Sequence, residues 1–258
     1  MSGVTRAAPT AAPMVSYAQN GEDVMLARAF AGRAVGFYVD AGAFDPDVDS
    51  VTRHFYDLGW CGINIEPVAK QHALFALARP RDINLNVALG RESGAMILHD
   101  FSPLGVSTVD AEIAGEMRAR GFPGREVRVP VVTLAQVCRD HDVREIDFLK
   151  VDVEGHEAEV LAGHDWTLVR PRILLVEATR PMTTEPTFAA WEPLVLDSGY
   201  QFAWFDGLNR FYVRREDADL LVHFRVQPNV FDNFTRPAAR MGTLVEIARR
   251  IKRRLMGR

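Results

Sequence analysis

Short apolar runs recur along this chain, and most stop at an acidic residue or a glycine. Residues 36–40 (GFYVD), 61–66 (CGINIE), 146–152 (IDFLKVD) and 173–177 (ILLVE) read as strands. Between them, residues 17–30, 50–58, 68–79, 134–141 and 157–162 carry helical spacing of apolar positions. Asn20 is the expected cap of the first of these, with Glu22 and Asp23 in its opening turn. Further strands are expected over 83–89, 95–99 and 127–132. Residues 101–125, rich in Gly, Pro and charge, read as a mobile insertion.

Apolar strands separated by helices predict a parallel sheet covered on both faces. Residues 200–205 and 210–214 flank the turn Asp206-Gly207-Leu208-Asn209 and predict a closing antiparallel hairpin. The fold class expected is therefore α/β, mostly parallel, with helices on both faces and a C-terminal antiparallel hairpin. No repeat and no second domain is evident.

In such sheets ligands gather at the carboxyl ends of the strands. Asp40, Glu66, Asp152 and Glu177 all end strands and would meet along that edge. The first loop, Asp40-Ala41-Gly42-Ala43-Phe44, has one glycine where a dinucleotide fold needs three. It cannot build a pyrophosphate cradle, which disfavours a nicotinamide dehydrogenase. A nucleoside ligand without phosphates needs a single close backbone approach, and S-adenosylmethionine is one. Asp40 would then lie near its cationic groups, and Glu66 would accept bonds from the ribose hydroxyls.

The segments SYAQNGED, GFYVDAGAFDP, GWCGINIEP, DINLNVALG, IDFLKVDVEGHEAEVL and FDGLNRFYV resemble, in order, the FkbM-type methyltransferases. The resemblance spans roughly residues 16–213, and LKVDVEGHE is its most specific piece. The chain departs from the usual pattern at Ala41 and Phe44, where the family commonly has Val and Asn. It implies a Rossmann-like class I methyltransferase with S-adenosyl-L-methionine as cofactor. The residues implied at the cofactor are Asp40, Gly42 and Glu66, with Asn86 and Val87 on the adenine side and Glu22 and Asp23 over the methionine portion.

Methylating a hydroxyl requires alignment at ~3 Å and removal of a proton. Asp152, Glu154, His156 and Glu157 share one turn after a central strand, and His156 or Asp152 is the expected general base. The competing reading makes Asp152 a helix cap and puts His156 on the solvent face. A Mg²⁺ ion between Asp152 and Glu177 is chemically suited but has no spacing signature, so no metal site is assigned. Residues 102–124 read either as an acceptor lid carrying Ser107 and Thr108 or as a surface loop. Trp204 reads as core or as a sugar-stacking ring.

The resemblance implies an acceptor hydroxyl on a sugar of a polysaccharide, glycolipid or glycosylated natural product. A polyketide or other small-molecule hydroxyl is the alternative acceptor. A non-catalytic docking module of a glycan-assembly complex is the alternative outside enzymes.

Composition narrows the remaining choices. Hydrophobic residues make up 48% and the formal net charge is −4, so no global basic field points to nucleic acid. Cys61 and Cys138 form neither a disulfide framework nor a zinc signature. No stretch reaches the ~18 apolar residues of a membrane span, and MSGVTRAAPTAAPMV has no signal-peptide core. A soluble, cytoplasmic protein is expected, with a disordered lead-in over 1–15 and the catalytic domain over 16–235. The basic run IARRIKRRLM lies in a predicted C-terminal amphipathic helix within 236–258. That helix is suited to peripheral contact with the inner face of a membrane or with a partner, or to simple solvation.

Overall fold

The computed structural model describes residues 13–101 and 106–237. Residues 1–12 of the expected lead-in over 1–15, residues 102–105 of the expected insertion and the basic run beyond 237 lie outside the described residues.

In chain order the elements are β1 (Met14–Val15), α1 (Glu22–Ala29), β2 (Phe37–Ala41), α2 (Arg53–Asp57), β3 (Cys61–Ile65), α3 (Ala69–Ala78), β4 (Ile83–Leu85) and β5 (Ala88–Leu89). There follow β6 (Gly94–Asp100), β7 (Ser107–Thr108), α4 (Ala111–Ala119), β8 (Arg125–Val132), α5 (Leu134–Asp140), β9 (Phe148–Val151) and α6 (Glu157–Ala162). The last are β10 (Ile173–Glu177), α7 (Glu192–Asp197), β11 (Tyr200–Phe205), β12 (Asn209–Arg214) and β13 (Phe234–Thr235).

A seven-stranded sheet runs β11-β12-β10-β9-β2-β3-β4. Its five central and edge strands from β10 to β4 are parallel, and β12 and β11 close it as an antiparallel hairpin. The chain leaves β2 toward β3 and returns on the other side as β9, which makes the β2/β9 junction the switch point where a crevice opens. This is a mixed α/β architecture with the expected hairpin.

Side chains alternate faces along each strand. Val39, Ala41, Leu149, Val151, Leu174 and Val176 join one core with residues of α5, α6 and α7. Tyr38, Phe148, Ile173 and Leu175 join the other with α1 and α2. The same alternation puts Asp40, Lys150 and Glu177 on that second face, and Asp40 stands directly opposite both Asn64 and Lys150 in the sheet register. A polar row thus crosses an otherwise apolar sheet beneath its carboxyl edge.

Several elements differ from the sequence expectation. Residues 17–21 are not helical: α1 begins after Gly21, which is left-handed, and Asn20 does not cap it. The expected strand over 83–89 divides at Asn86, whose amide donates to the carbonyls of Glu66 and Pro67. This bends the chain out of the main sheet, and Ala88–Leu89 pairs instead with Val131–Val132. A four-stranded sheet, β5-β8-β6-β7, results. The region read as a mobile insertion contains α4, capped by the Asp110 carboxylate on the N–H groups of Glu112 and Ile113. Ile113, Ala114 and Met117 pack there against Phe101, Val106 and Met182. Met14 and Val15, expected in the lead-in, pair in parallel with Phe234 and Thr235. Among the described residues no helix is long and apolar enough to cross a membrane.

Candidate active site

A cavity of about 1480 Å³, counted out to its open mouth, lies over the carboxyl ends of β2, β3, β9 and β10. The turns after β2 and β3 form one wall. Gly42 and Ala43 donate backbone bonds to the Ile65 carbonyl, and Phe44 donates to Glu66 Oε2 at 2.8 Å. Glu66 Oε1 accepts from the Val68 N–H at 2.7 Å. Each carboxylate oxygen therefore holds one backbone donor and keeps lone-pair capacity for a ligand. Burial pushes the Glu66 carboxyl up to about 7, against the lowering effect of these N–H groups and of Lys150.

Gly42 is left-handed, with φ of 76°, and a Cβ placed on it would lie 1.7 Å from the Asp152 carbonyl oxygen. Glycine is thus required there for the β2 turn to pack on the β9 turn. Phe44 is also left-handed, at φ 56°, which is costly for a bulky residue. Asn, the residue common at this place in the resembling family, adopts that conformation more readily.

The other wall is organised by Lys150. Its Nζ lies 3.2 Å from Asp40, 3.4 Å from Asp152 and 3.0 Å from the Gly42 carbonyl. Burial alone would lower the pKa of this lysine, but the two carboxylates hold it above its ordinary range. Asp40 also accepts from Thr52 Oγ1 and is 1% exposed. The side chain therefore neutralises a buried acid, steadies the first turn and anchors Asp152, whose own side chain is 31% exposed toward the cavity.

The turn that follows is fixed from within. Glu157 Oε1 accepts from the Val153 and Gly155 N–H groups at 3.1 Å each, and burial pushes its carboxyl up to about 7. Asp152 does not cap α6; His156 occupies that position without a side-chain bond. The His156 ring lines the cavity, and burial holds its pKa below the ordinary histidine value. Burial thus favours the neutral ring, whose free nitrogen can accept a proton. Ser107 and Val109 bring the second sheet to the rim, while Thr108 is spent on the Glu154 carbonyl.

The N-terminal segment closes the remaining side. Glu22 accepts from the Asn20 N–H at 2.7 Å and the Asn209 amide at 2.9 Å. Burial, reinforced by nearby Asp206, pushes its carboxyl up to about 8. Gln19 and Glu177 also line the cavity. So does Gln71, whose buried Oε1 has no hydrogen-bond partner among the described residues.

Of the residues expected from sequence, Gly42, Glu66, Val87, Glu22, Asp152 and His156 line this cavity, and Asp40, Asn86 and Asp23 do not. Asp40 lies beneath it on Lys150, and Asn86 holds the β3 turn by its backbone. Asp23 is consumed by Ser16 Oγ and the N–H groups of Tyr17 and Ala18. Trp204 packs against the second core. Among the described residues no group of three or more His, Cys, Asp or Glu is placed to hold a metal.

A model of the methyltransferase FkbM domain matches residues 40–202. The chain belongs to the FkbM methyltransferase family. The match runs from the buried Asp40 to the β11 strand, so it includes both walls of the cavity and the Lys150 anchor. The N-terminal segment carrying Gln19 and Glu22, and the return strand β12 carrying Asn209, fall outside it. No curated protein matches the chain.

Lys150 was hidden from sequence reasoning inside an apolar strand. The available signal was a lone cation two residues before Asp152, in the strand that pairs with Asp40.

Proposed function

We propose that this methyltransferase is a Rossmann-like class I enzyme that uses S-adenosylmethionine to methylate a sugar hydroxyl. The observation that carries this reading is Glu66: a buried carboxylate, fixed by two backbone donors, facing a large cavity at the switch point of the sheet. Such an acceptor suits a ribose diol.

The rest of the donor set fits the same cofactor. Val68 and Val87 offer an apolar slot for the adenine, and the partnerless Gln71 oxygen offers an acceptor to its exocyclic amine. Gln19 and Glu22 are the polar groups for the amino-acid portion. The turn after β2, with one glycine and the Phe44 side chain, has no cradle for a pyrophosphate.

When bound, the cofactor supplies a methyl group activated by a positively charged sulfur. The protein's part is to position the acceptor and take its proton. His156, in the cavity wall and with its proton affinity lowered by burial, would take the proton of the acceptor hydroxyl. Asp152, held by Lys150, orients the acceptor from the same wall. Ser107, Glu154 and Glu177 add polar groups suited to a polyhydroxylated acceptor such as a polysaccharide, glycolipid or glycosylated natural product.

Calorimetric titration with S-adenosylmethionine and with NAD tests the assignment. Micromolar binding of the first is expected, lost in Glu66→Ala, with none of the second. A folded protein that binds NAD but not S-adenosylmethionine contradicts it.

A further inference from the structure

The C-terminal part of the sequence, of which residues 225–237 are described, has a composition unlike the rest. Residues 225–258 contain nine Arg or Lys against two acids, a charge of +7. The whole chain carries −4, so residues 1–224 carry −11. One of the two acids, Asp232, is already neutralised by a two-pronged pair with Arg28. The positive charge is therefore segregated at one end of an acidic protein.

The same end presents apolar side chains to solvent. Val230 is 87% exposed and Phe231 93%, with Val226 at 57% close by in sequence. These two residues are not on a loose loop. The Asn229 side chain accepts from the Phe231 N–H, and Asp232 accepts in return from the Asn229 N–H. Arg28 then fastens Asp232 to α1 and also donates to the Val226 and Gln227 carbonyls. Exposed Arg225 and Arg236 lie on either side in sequence. The result is a braced turn that holds an aromatic and a β-branched side chain outward, with the basic sequence IARRIKRRLM further along the chain at residues 247–256.

We propose that this end docks the enzyme on an anionic phospholipid surface, with Val230 and Phe231 inserted among the acyl chains and the arginines on the headgroups. Cations give a salt-sensitive attraction to such a surface, and apolar side chains give a salt-resistant hold. A polyanion such as nucleic acid would use the charge but leave the apolar tip unburied. The braced turn is continuous with the N-terminal strap of the cavity: β13 pairs with β1, and Arg236 donates to the Ala18 and Gln19 carbonyls. Docking therefore engages the segment that carries Gln19 and Glu22. The proposal stands independently of the cofactor and acceptor assigned above.

Co-sedimentation of the full chain with vesicles of phosphatidylcholine containing 30% phosphatidylglycerol (about one anionic lipid in three) tests it. Binding is expected to these vesicles and not to phosphatidylcholine alone. A Val230→Ser/Phe231→Ser variant should bind at least ~tenfold more weakly at 0.1 M salt. A variant with Arg249, Arg250, Lys252, Arg253 and Arg254 changed to Gln should lose most of the binding. Val230 and Phe231 are exposed, and unaltered circular dichroism of both variants confirms the fold. Absence of sedimentation with the anionic vesicles overturns the proposal, as does equal binding by the Val230→Ser/Phe231→Ser variant. Salt-dependent binding to DNA that ignores Phe231, without vesicle binding, identifies a polyanion site instead. A dimer dissociated by the same serine variant, again without vesicle binding, identifies a second copy as the partner.

Discussion

Glu66 and Asp152 follow parallel strands at the same sheet edge, but opposite means hold them. Glu66 is gripped by two backbone N–H groups, while Asp152 is held by the ammonium of Lys150, shared with buried Asp40. Backbone donors fix the direction of the Glu66 carboxylate and lower its proton affinity, but burial outweighs them and pushes the carboxyl up to about 7. A shared cation fixes position by charge, and removing it strands Asp40 at 1% exposure. The first arrangement leaves Glu66 open to the cavity, and the second ties Asp152 and buried Asp40 to the fold.

Separating the two turns should have the largest effect. Gly42→Ala forces a Cβ into the Asp152 carbonyl and a strained φ together, and should cost ~4 kcal/mol of unfolding free energy measured in urea. Lys150→Met should cost ~3 kcal/mol by leaving Asp40 charged and buried. Adding Asp40→Asn should recover at least half of that loss in a double-mutant cycle. If the two changes simply add, Lys150 acts by packing and not by charge. At the small end, Phe44→Asn should stabilise the fold by ~0.5 kcal/mol, because Asn tolerates the left-handed conformation better. Thermal unfolding would detect that gain, and a loss would mean that the Phe44 ring contributes more than its backbone costs.

Much of this architecture was legible from alternation and punctuation. α6 and β10 match their expected spans residue for residue, and the hairpin differs only in starting its second strand at Asn209. Acids at strand ends also marked the cavity edge, because a residue following an apolar strand has few places to go but the rim. Side-chain partners were less legible. Asp40 ends an apolar run just as Glu66 does, yet register sends it beneath the sheet edge to Lys150. Asn86 sits within a β-prone run, and only its bonds to the Glu66 and Pro67 carbonyls show that the strand must break there. In residues 101–125 composition suggested mobility, whereas the Asp110 cap and the spacing of Ile113, Ala114 and Met117 build a helix with a buried face.

The role proposed for Glu66 is to receive the ribose hydroxyls of S-adenosylmethionine. Burial leaves the free carboxyl with its pKa at about 7, so at pH 6.5 it is mostly protonated, and the ligand's hydroxyl donors require it ionised. For the free protein this raised value means stability from Glu66 that is present below the ordinary carboxylate range and lost as pH rises through about 7. For binding the sign reverses, and affinity should increase over the same interval. Calorimetry of S-adenosylmethionine binding at pH 6.5, repeated in buffers of different ionisation enthalpy, counts the protons exchanged. Release of at least ~0.5 proton per ligand bound is the expected result. Binding with no release, or with proton uptake, would contradict it.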